Sequence, residues 1–475
     1  MLFNSCAFLF LYLPPVWAGY YLLGRRSAFA ATAWLGVSSL FFYGWWDVRF
    51  LPLLLVSIVF NCVMARALMR AAEPWRRRLL LGALAANLAA LAWFKYTDFL
   101  LEAVGFPAIG VLLPIGISFF TFTQIALLVD CYRREVGAYR LTEYALFVSY
   151  FPHLIAGPVL HHKTMMPQFA NPSARRPDAA HIALGVTIFV IGLAKKVLIA
   201  DNLAPLANPV FAAGAHPPLV EAWTGVLAYT FQLYFDFSGY SDMAIGLSRL
   251  FGVRLPENFN APYKAVDIGE FWRRWHMTLS QFLRDYLYIP LGGNRYGSMR
   301  RYRNLMLTML LGGLWHGAGW NFVVWGGLHG AYLSTHQLWR ARIPWRMPRP
   351  LAQGLTFLAV CFAWVFFRAS DLPAALDVLR GLIGMNGIGL PHVLAGLQPW
   401  LPHADFGGLR WIQLEGPGLP ALALASALAF AAPTTAALVA TRWRPTPRWA
   451  LASTALFVVS VFTLNRPTEF LYFQF

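Results

Sequence analysis

Apolar runs long enough to cross a bilayer, about 20 residues each, recur along the chain. They lie at 3–23, 29–46, 50–70, 79–97, 108–129, 182–200, 219–235, 304–322, 323–340, 351–369, 417–440 and 448–464. Each is expected to be a helix, because backbone polar groups in hydrocarbon must be satisfied within the segment. The stretch 144–160 is shorter and is broken by Pro152, Gly157 and Pro158. It reads as re-entrant or interfacial, as does 236–251. The first run has no basic segment before it and no cleavage pattern, so it reads as a retained helix. The pattern changes at Asp267. Asp267 at the N-cap with Glu270 three residues on resembles a capping box. From there Trp272, Trp275, His276, Leu279, Leu283, Tyr286 and Leu287 share one helical face. Arg273, Arg274, Gln281, Arg284 and Asp285 lie around the rest. One amphipathic helix at the membrane surface is expected. The whole pattern describes an all-α polytopic membrane protein, with roughly 11–13 transmembrane helices plus re-entrant and interfacial helices.

Composition agrees: 58% of the 475 residues are hydrophobic and 12% charged, against about 25% charged in soluble chains. The net charge of +17 changes little. Its Lys and Arg residues sit in short loops, where positive-inside topology and contact with anionic membrane lipids explain them without nucleic acid. Basic loops follow the first, third and fifth runs (Arg25, Arg26; Arg66, Arg70, Arg76 to Arg78; Arg133, Arg134, Arg140). These loops are expected in the cytoplasm, with the N-terminus outside. Segment 254–303 is basic as well and joins them; Lys195 and Lys196 fit no loop. Cys6, Cys62, Cys131 and Cys361 are scattered, without ligand spacing. Residues 385–416 form the one long connection in the C-terminal part. With no soluble domain or internal repeat in view, residues 1–475 read as a single membrane-embedded domain.

Candidate chemistry centres on histidines. His316 stands in the apolar run TMLLGGLWHGAGWNF, and an ionisable group at membrane depth is by default a functional hypothesis. Gly312, Gly313 and Gly319 neighbour it at helical spacing. That gives two readings of equal weight: helix packing with the histidine as hydrogen-bond glue, or a crevice where a substrate reaches the ring. His276, on the apolar face, reads as a satisfied core histidine or a site residue. Asp236 and Asp242, in YFDFSGYSDM, either line a polar cavity or cap broken helices. His153, beside helix breakers, suits a re-entrant loop. No metal site is expected. No phosphate-binding loop, dinucleotide fingerprint or nucleophile elbow is present.

Several longer motifs occur together: FWRRWHMTLSQFLRDYLYIPLGGNR, LLGGLWHGAGW, LYFDFSGYSDMAIGL, LLPIGISFF and FPHLIAGPV. In this combination the chain resembles the membrane-bound O-acyltransferase superfamily, and within it the bacterial alginate O-acetylation branch. The core motifs fall in 110–340, and the aromatic ending FLYFQF (470–475) matches too. The resemblance implies helices around a central funnel, in a multi-pass protein of the bacterial inner membrane. It implies that His316 in WHG is catalytic and that His276 in WRRWH is a second signature position on the cytoplasmic side. Trp275 and Trp315 flank the two histidines. Tyr472 would correspond to a proposed acyl-carrying tyrosine of related D-alanylation systems; it reads otherwise as an interface anchor. The implied reaction takes an acetyl group from acetyl-CoA or another acyl thioester, with no bound cofactor. It passes the group outward to a periplasmic SGNH/esterase-like partner that acetylates a polysaccharide. Arg273, Arg274 and Arg284 would steer an anionic donor. Transfer of acetyl or D-alanyl to peptidoglycan, cellulose or teichoic acid is the alternative within the fold. A transporter with His316 in a gate and a non-catalytic scaffold are the alternatives outside it.

Overall fold

The computed structural model describes residues 1–155, 157–171, 176–407, 409–412, 416–464 and 471. The regular structure of the described chain is helical, apart from a two-residue parallel pairing of Ile388–Gly389 with Ala404–Asp405 inside the long connection. Among the described residues, five helices are long and apolar enough to cross a membrane: Ala7–Gly24, Val48–Arg70, Trp75–Ala103, Ala179–Ala207 and Arg349–Arg368. The pair Gly418–Ala431 and Thr435–Arg442, bent by 61°, makes a sixth if counted as one span. Helices also occupy the remaining expected runs, but they are shorter or carry charge. Gly297–His316, for instance, opens with Arg300, Arg301 and Arg303.

Two expected boundaries move. Residues 108–116 are not helical; Gly116, with φ +72°, caps the helix Ile117–Tyr132, because Pro107, Gly110 and Pro114 break the start of that run. Conversely, 219–235 and 236–251 form one helix, Leu219–Leu250, of 32 residues. No proline interrupts it, and its glycines are used for close packing. A Cβ on Gly246 would lie 2.5 Å from Phe189 N, and one on Gly192 would lie 2.5 Å from Gly239 O. These contacts bring the helix against Ala179–Ala194, as small residues do in membranes.

The described chain divides into two compact units. The first comprises Met1–Ala194, Gly239–Asn258 and Thr435–Pro467. Aromatic residues fill it, with Phe3, Phe8, Phe42 and Phe151 in mutual ring contact. The second comprises Lys195–Ser238, Phe259–Thr434 and Thr468–Phe475. Its core gathers Trp275, Trp325, Trp364, Phe271 and Tyr263, and it contains both His276 and His316.

Candidate active site

The segment from Asp267 begins as its sequence predicts. Asp267 Oδ1 accepts the Glu270 N–H at 2.7 Å, and Glu270 Oε2 accepts the Val266 N–H at 2.9 Å. The helix then stops after Ile268–Trp272. A second one runs Met277–Leu283 and ends in a wide turn, Arg284–Tyr288. The single amphipathic helix expected here is thus two short ones with a break at His276, whose φ of +42° and ψ of 54° lie in the left-handed region. That conformation is costly for a residue with a Cβ. Polar groups at the break are satisfied: Arg274 O accepts the Asn260 N–H, and the Ser280 hydroxyl donates to Trp275 O. The ring gains full burial, edge-on to Phe237 at 4.8 Å between centroids. Burial pushes the His276 imidazole down to about 3, so it is neutral near pH 7. Trp272, Trp275 and Leu279 are still buried, as the periodicity predicted.

His316 is the last residue of Gly297–His316, and Gly319 caps the next helix, Trp320–Arg342. The glycines do not leave an empty patch beneath the ring. Gly313 gives its space to the neighbouring helix: its Cβ would lie 2.2 Å from Phe322 O. Gly326 answers from the other side, 2.3 Å from Met309 O. The two helices therefore meet backbone to backbone. The His316 ring, 6% exposed, packs against Trp315, Trp325 and Phe367 at 4.9, 5.1 and 5.2 Å. Trp315 is also 6.4 Å from His276. The two predicted histidines thus flank one tryptophan.

A third histidine joins them. His329 is fully buried, and its ring contacts Trp325 at 4.8 Å and Trp272 at 5.1 Å. Trp272 Nε1–H donates to His329 Nδ1 at 3.2 Å. That fixes the tautomer: in the neutral ring the proton sits on Nε2. Among the described residues His329 Nε2 has no hydrogen-bond partner. Like His316, His329 is an ionisable group in an apolar run. The spacing Trp325 to His329 is also one helical turn. A neutral, oriented imidazole N–H in a dry aromatic wall is chemically a donor, and His316 is chemically a base.

The other predicted residues scatter. Trp275 stacks within the aromatic core on Phe271 and Trp364, at 5.7 and 5.0 Å. The arginines are occupied by neighbours: Arg274 pairs with Glu270 at 2.7 Å and Arg284 with Asp285 at 2.7 Å. Arg273 is the most exposed of the three, 4.0 Å from Asp267. Asp236 is buried in an ion pair with Lys196 at 2.6 Å, which accounts for a lysine that fitted no loop. Asp242 accepts the Thr435 hydroxyl at 2.6 Å, at the bend before Thr435–Arg442. His153 Nε2 contacts Phe147 O at 2.9 Å. Asp242 and His153 belong to the first unit, not the second. Tyr472 lies outside the described residues.

Among the described residues, Asp130, His161 and His162 in the first unit lie close enough together to hold a metal ion, a cluster the sequence did not suggest. Both histidine Nε2 atoms contact Asp130 Oδ2, at 3.0 and 2.9 Å, with Arg133 3.6 Å from the other oxygen. Two imidazole donors and a guanidinium already satisfy this carboxylate without an ion. Sequence spacing hid the group, because a loop and two helices separate Asp130 from the histidines.

Comparison with known proteins agrees with the motifs. The model of the membrane-bound O-acyltransferase family matches residues 40–370. The chain is 45% identical to a peptidoglycan O-acetyltransferase of Helicobacter pylori, over 83% of this chain and 82% of that one. It is 44% identical to a probable alginate O-acetylase, AlgI, of Pseudomonas aeruginosa, over 84% and 78%. It is 27% identical to a teichoic acid D-alanyltransferase of Bacillus subtilis, over 53% and 68%. With its apolar helices and these relatives, the chain is a multi-pass membrane acyltransferase, and it belongs to the membrane-bound O-acyltransferase family.

Proposed function

We propose that this chain is an O-acetyltransferase of the bacterial inner membrane. It takes acetyl from a cytoplasmic thioester, acetyl-CoA being the simplest, and passes it outward for O-acetylation of an extracytoplasmic polysaccharide. The placement of His316 carries this reading: a histidine at the end of a helix, walled by Trp315, Trp325 and Phe367. In that role His316 removes the proton from an attacking hydroxyl as its oxygen bonds to the thioester carbon. The C–S bond then breaks and the thiolate takes the proton back. His329 Nε2–H is the donor suited to the developing oxyanion. The attacking hydroxyl is that of Tyr472, which carries acetyl onward to an SGNH/esterase-like partner. A phenol with a pKa near 10 needs such a base. Arg273, on the exposed side of the WRRWH segment, suits the anionic donor.

Higher identity to O-acetyltransferases than to the D-alanyltransferase favours acetyl over D-alanyl. Alginate and peptidoglycan are supported equally as acceptors. The family match from 40 to 370 takes in segments of both units, which supports one functional domain.

The test is polymer acetylation in cells whose only copy is a variant. His316→Ala abolishes it while the protein still reaches the membrane, and retained acetylation removes His316 from the mechanism. Tyr472→Phe also abolishes it, whereas an interface anchor would tolerate loss of one hydroxyl.

A further inference from the structure

Lys196 holds two carboxylates in the second unit: Asp201 Oδ1 at 2.7 Å and Asp236 Oδ1 at 2.6 Å. Local geometry makes the first contact. Lys195–Ala200 is a π-turn, whose wider winding brings residues five apart onto one side. The long helix Leu219–Leu250 brings Asp236. With both carboxylates ionised, one ammonium leaves an excess negative charge, and burying it is expensive unless further donors are supplied. One such donor comes from the far end of the chain. The Leu471 N–H donates to Asp236 Oδ2 at 3.1 Å. Leu471 is itself only 1% exposed, and it belongs to the same buried cluster as Leu203 and Phe235.

We infer that the Lys196–Asp201–Asp236 triad is a docking anchor for the backbone at Leu471, one residue before Tyr472 in the sequence. A backbone N–H bound to a buried carboxylate of an ion pair is a charge-assisted bond, and Lys196, 2.6 Å from the other oxygen, aims that carboxylate. Asp236 is thus a positioning residue. Its importance to acetyl transfer rests on the carrier reading of Tyr472, but the docking does not.

The test removes the N–H and leaves the side chains alone. In the full chain, Leu471 is replaced by its α-hydroxy acid, so that an ester oxygen stands where the N–H was. Carboxypeptidase trimming of the tail is then followed by intact mass, beside acetyl transfer. Trimming tracks the undocked fraction, so the ester chain should be trimmed about tenfold faster than the native chain. Asp236→Asn, which keeps an acceptor but loses the charge, should move the same way. Tyr472→Phe should leave protection unchanged while losing transfer. An ester chain trimmed at the native rate overturns the anchor. Faster trimming with transfer intact upholds the anchor and counts only against the carrier role of Tyr472.

Discussion

Two adjacent glycines offer a paired experiment on the architecture of the site. Gly326 and Gly327 lie side by side on the helix Trp320–Arg342. A Cβ on Gly326 would sit 2.3 Å from Met309 O and 3.0 Å from Met309 C, backbone atoms that cannot swing aside. A Cβ on Gly327 would meet only Leu310 Cδ2, at an ordinary 3.6 Å. Gly326→Ala therefore forces the two helices apart by about 1 Å to recover even a tight contact. Overpacking of this kind costs about 1–3 kcal/mol, and the helix preference of alanine returns about 1 kcal/mol. Because the clash is with backbone atoms, the upper end of that cost applies, and the net loss should be about 2 kcal/mol. Gly327→Ala keeps the gain and lacks the clash, so it should be neutral or slightly stabilising. The displaced helix carries Trp325 and His329, and the other ends at His316. A misplacement of about 1 Å between reacting groups can cost about 100-fold in rate. Thermal unfolding in detergent and acetyl-transfer rate read the two effects. Native stability and rate in Gly326→Ala, or equal losses in both variants, would refute the reasoning.

Two further outcomes follow from the histidines. Trp272→Phe keeps a ring but removes the N–H that fixes the His329 tautomer, so kcat should fall about tenfold at unchanged KM; an unchanged kcat takes His329 out of the account. His276 is neutral when folded, at about 3, against an ordinary 6.5. Its contribution to stability is therefore full above pH 6.5 and is lost as pH falls toward the folded value, by about 1.4 kcal/mol per pH unit in between. His276→Asn tolerates the left-handed backbone and does not titrate, so unfolding measured from pH 7 down to 4 should show a shallower acid slope than the native chain.

What the sequence made legible was local or periodic. Asp267 and Glu270 announced the start of their helix because a cap is made within four residues. Apolar runs located most of the longer helices, and the family motifs located His276 and His316. What stayed hidden depended on distant partners. The break at His276 has no local signature, since nothing in WRRWHMT forces a positive φ; the surrounding aromatic core does. Gly313 read equally as helix packing or as the floor of a crevice, because helical spacing cannot say whether a glycine faces a ligand or another backbone; it faces a backbone. Lys196 was unplaceable until Asp236 stood beside it, and the cluster at Asp130 forms only when the chain returns with His161 and His162. The missed continuity of Leu219–Leu250 had the same origin. Asp236 and Asp242 suggested a broken segment, but each has a partner in the fold, and a partnered carboxylate need not break a membrane helix. His329 was different: its signal was present, and the nearby WHG motif drew attention from it.

The central claim is that His316 moves the proton in acyl transfer. The direct measurement uses purified chain in proteoliposomes, given acetyl-CoA labelled in its acetyl group. Label released from the thioester and transferred to protein or acceptor is counted for the native chain and for His316→Ala. Thermal unfolding confirms that both are folded. Loss of a general base should slow transfer by about 10²- to 10⁴-fold with thioester binding retained. A folded His316→Ala chain that transfers acetyl at the native rate would contradict the account.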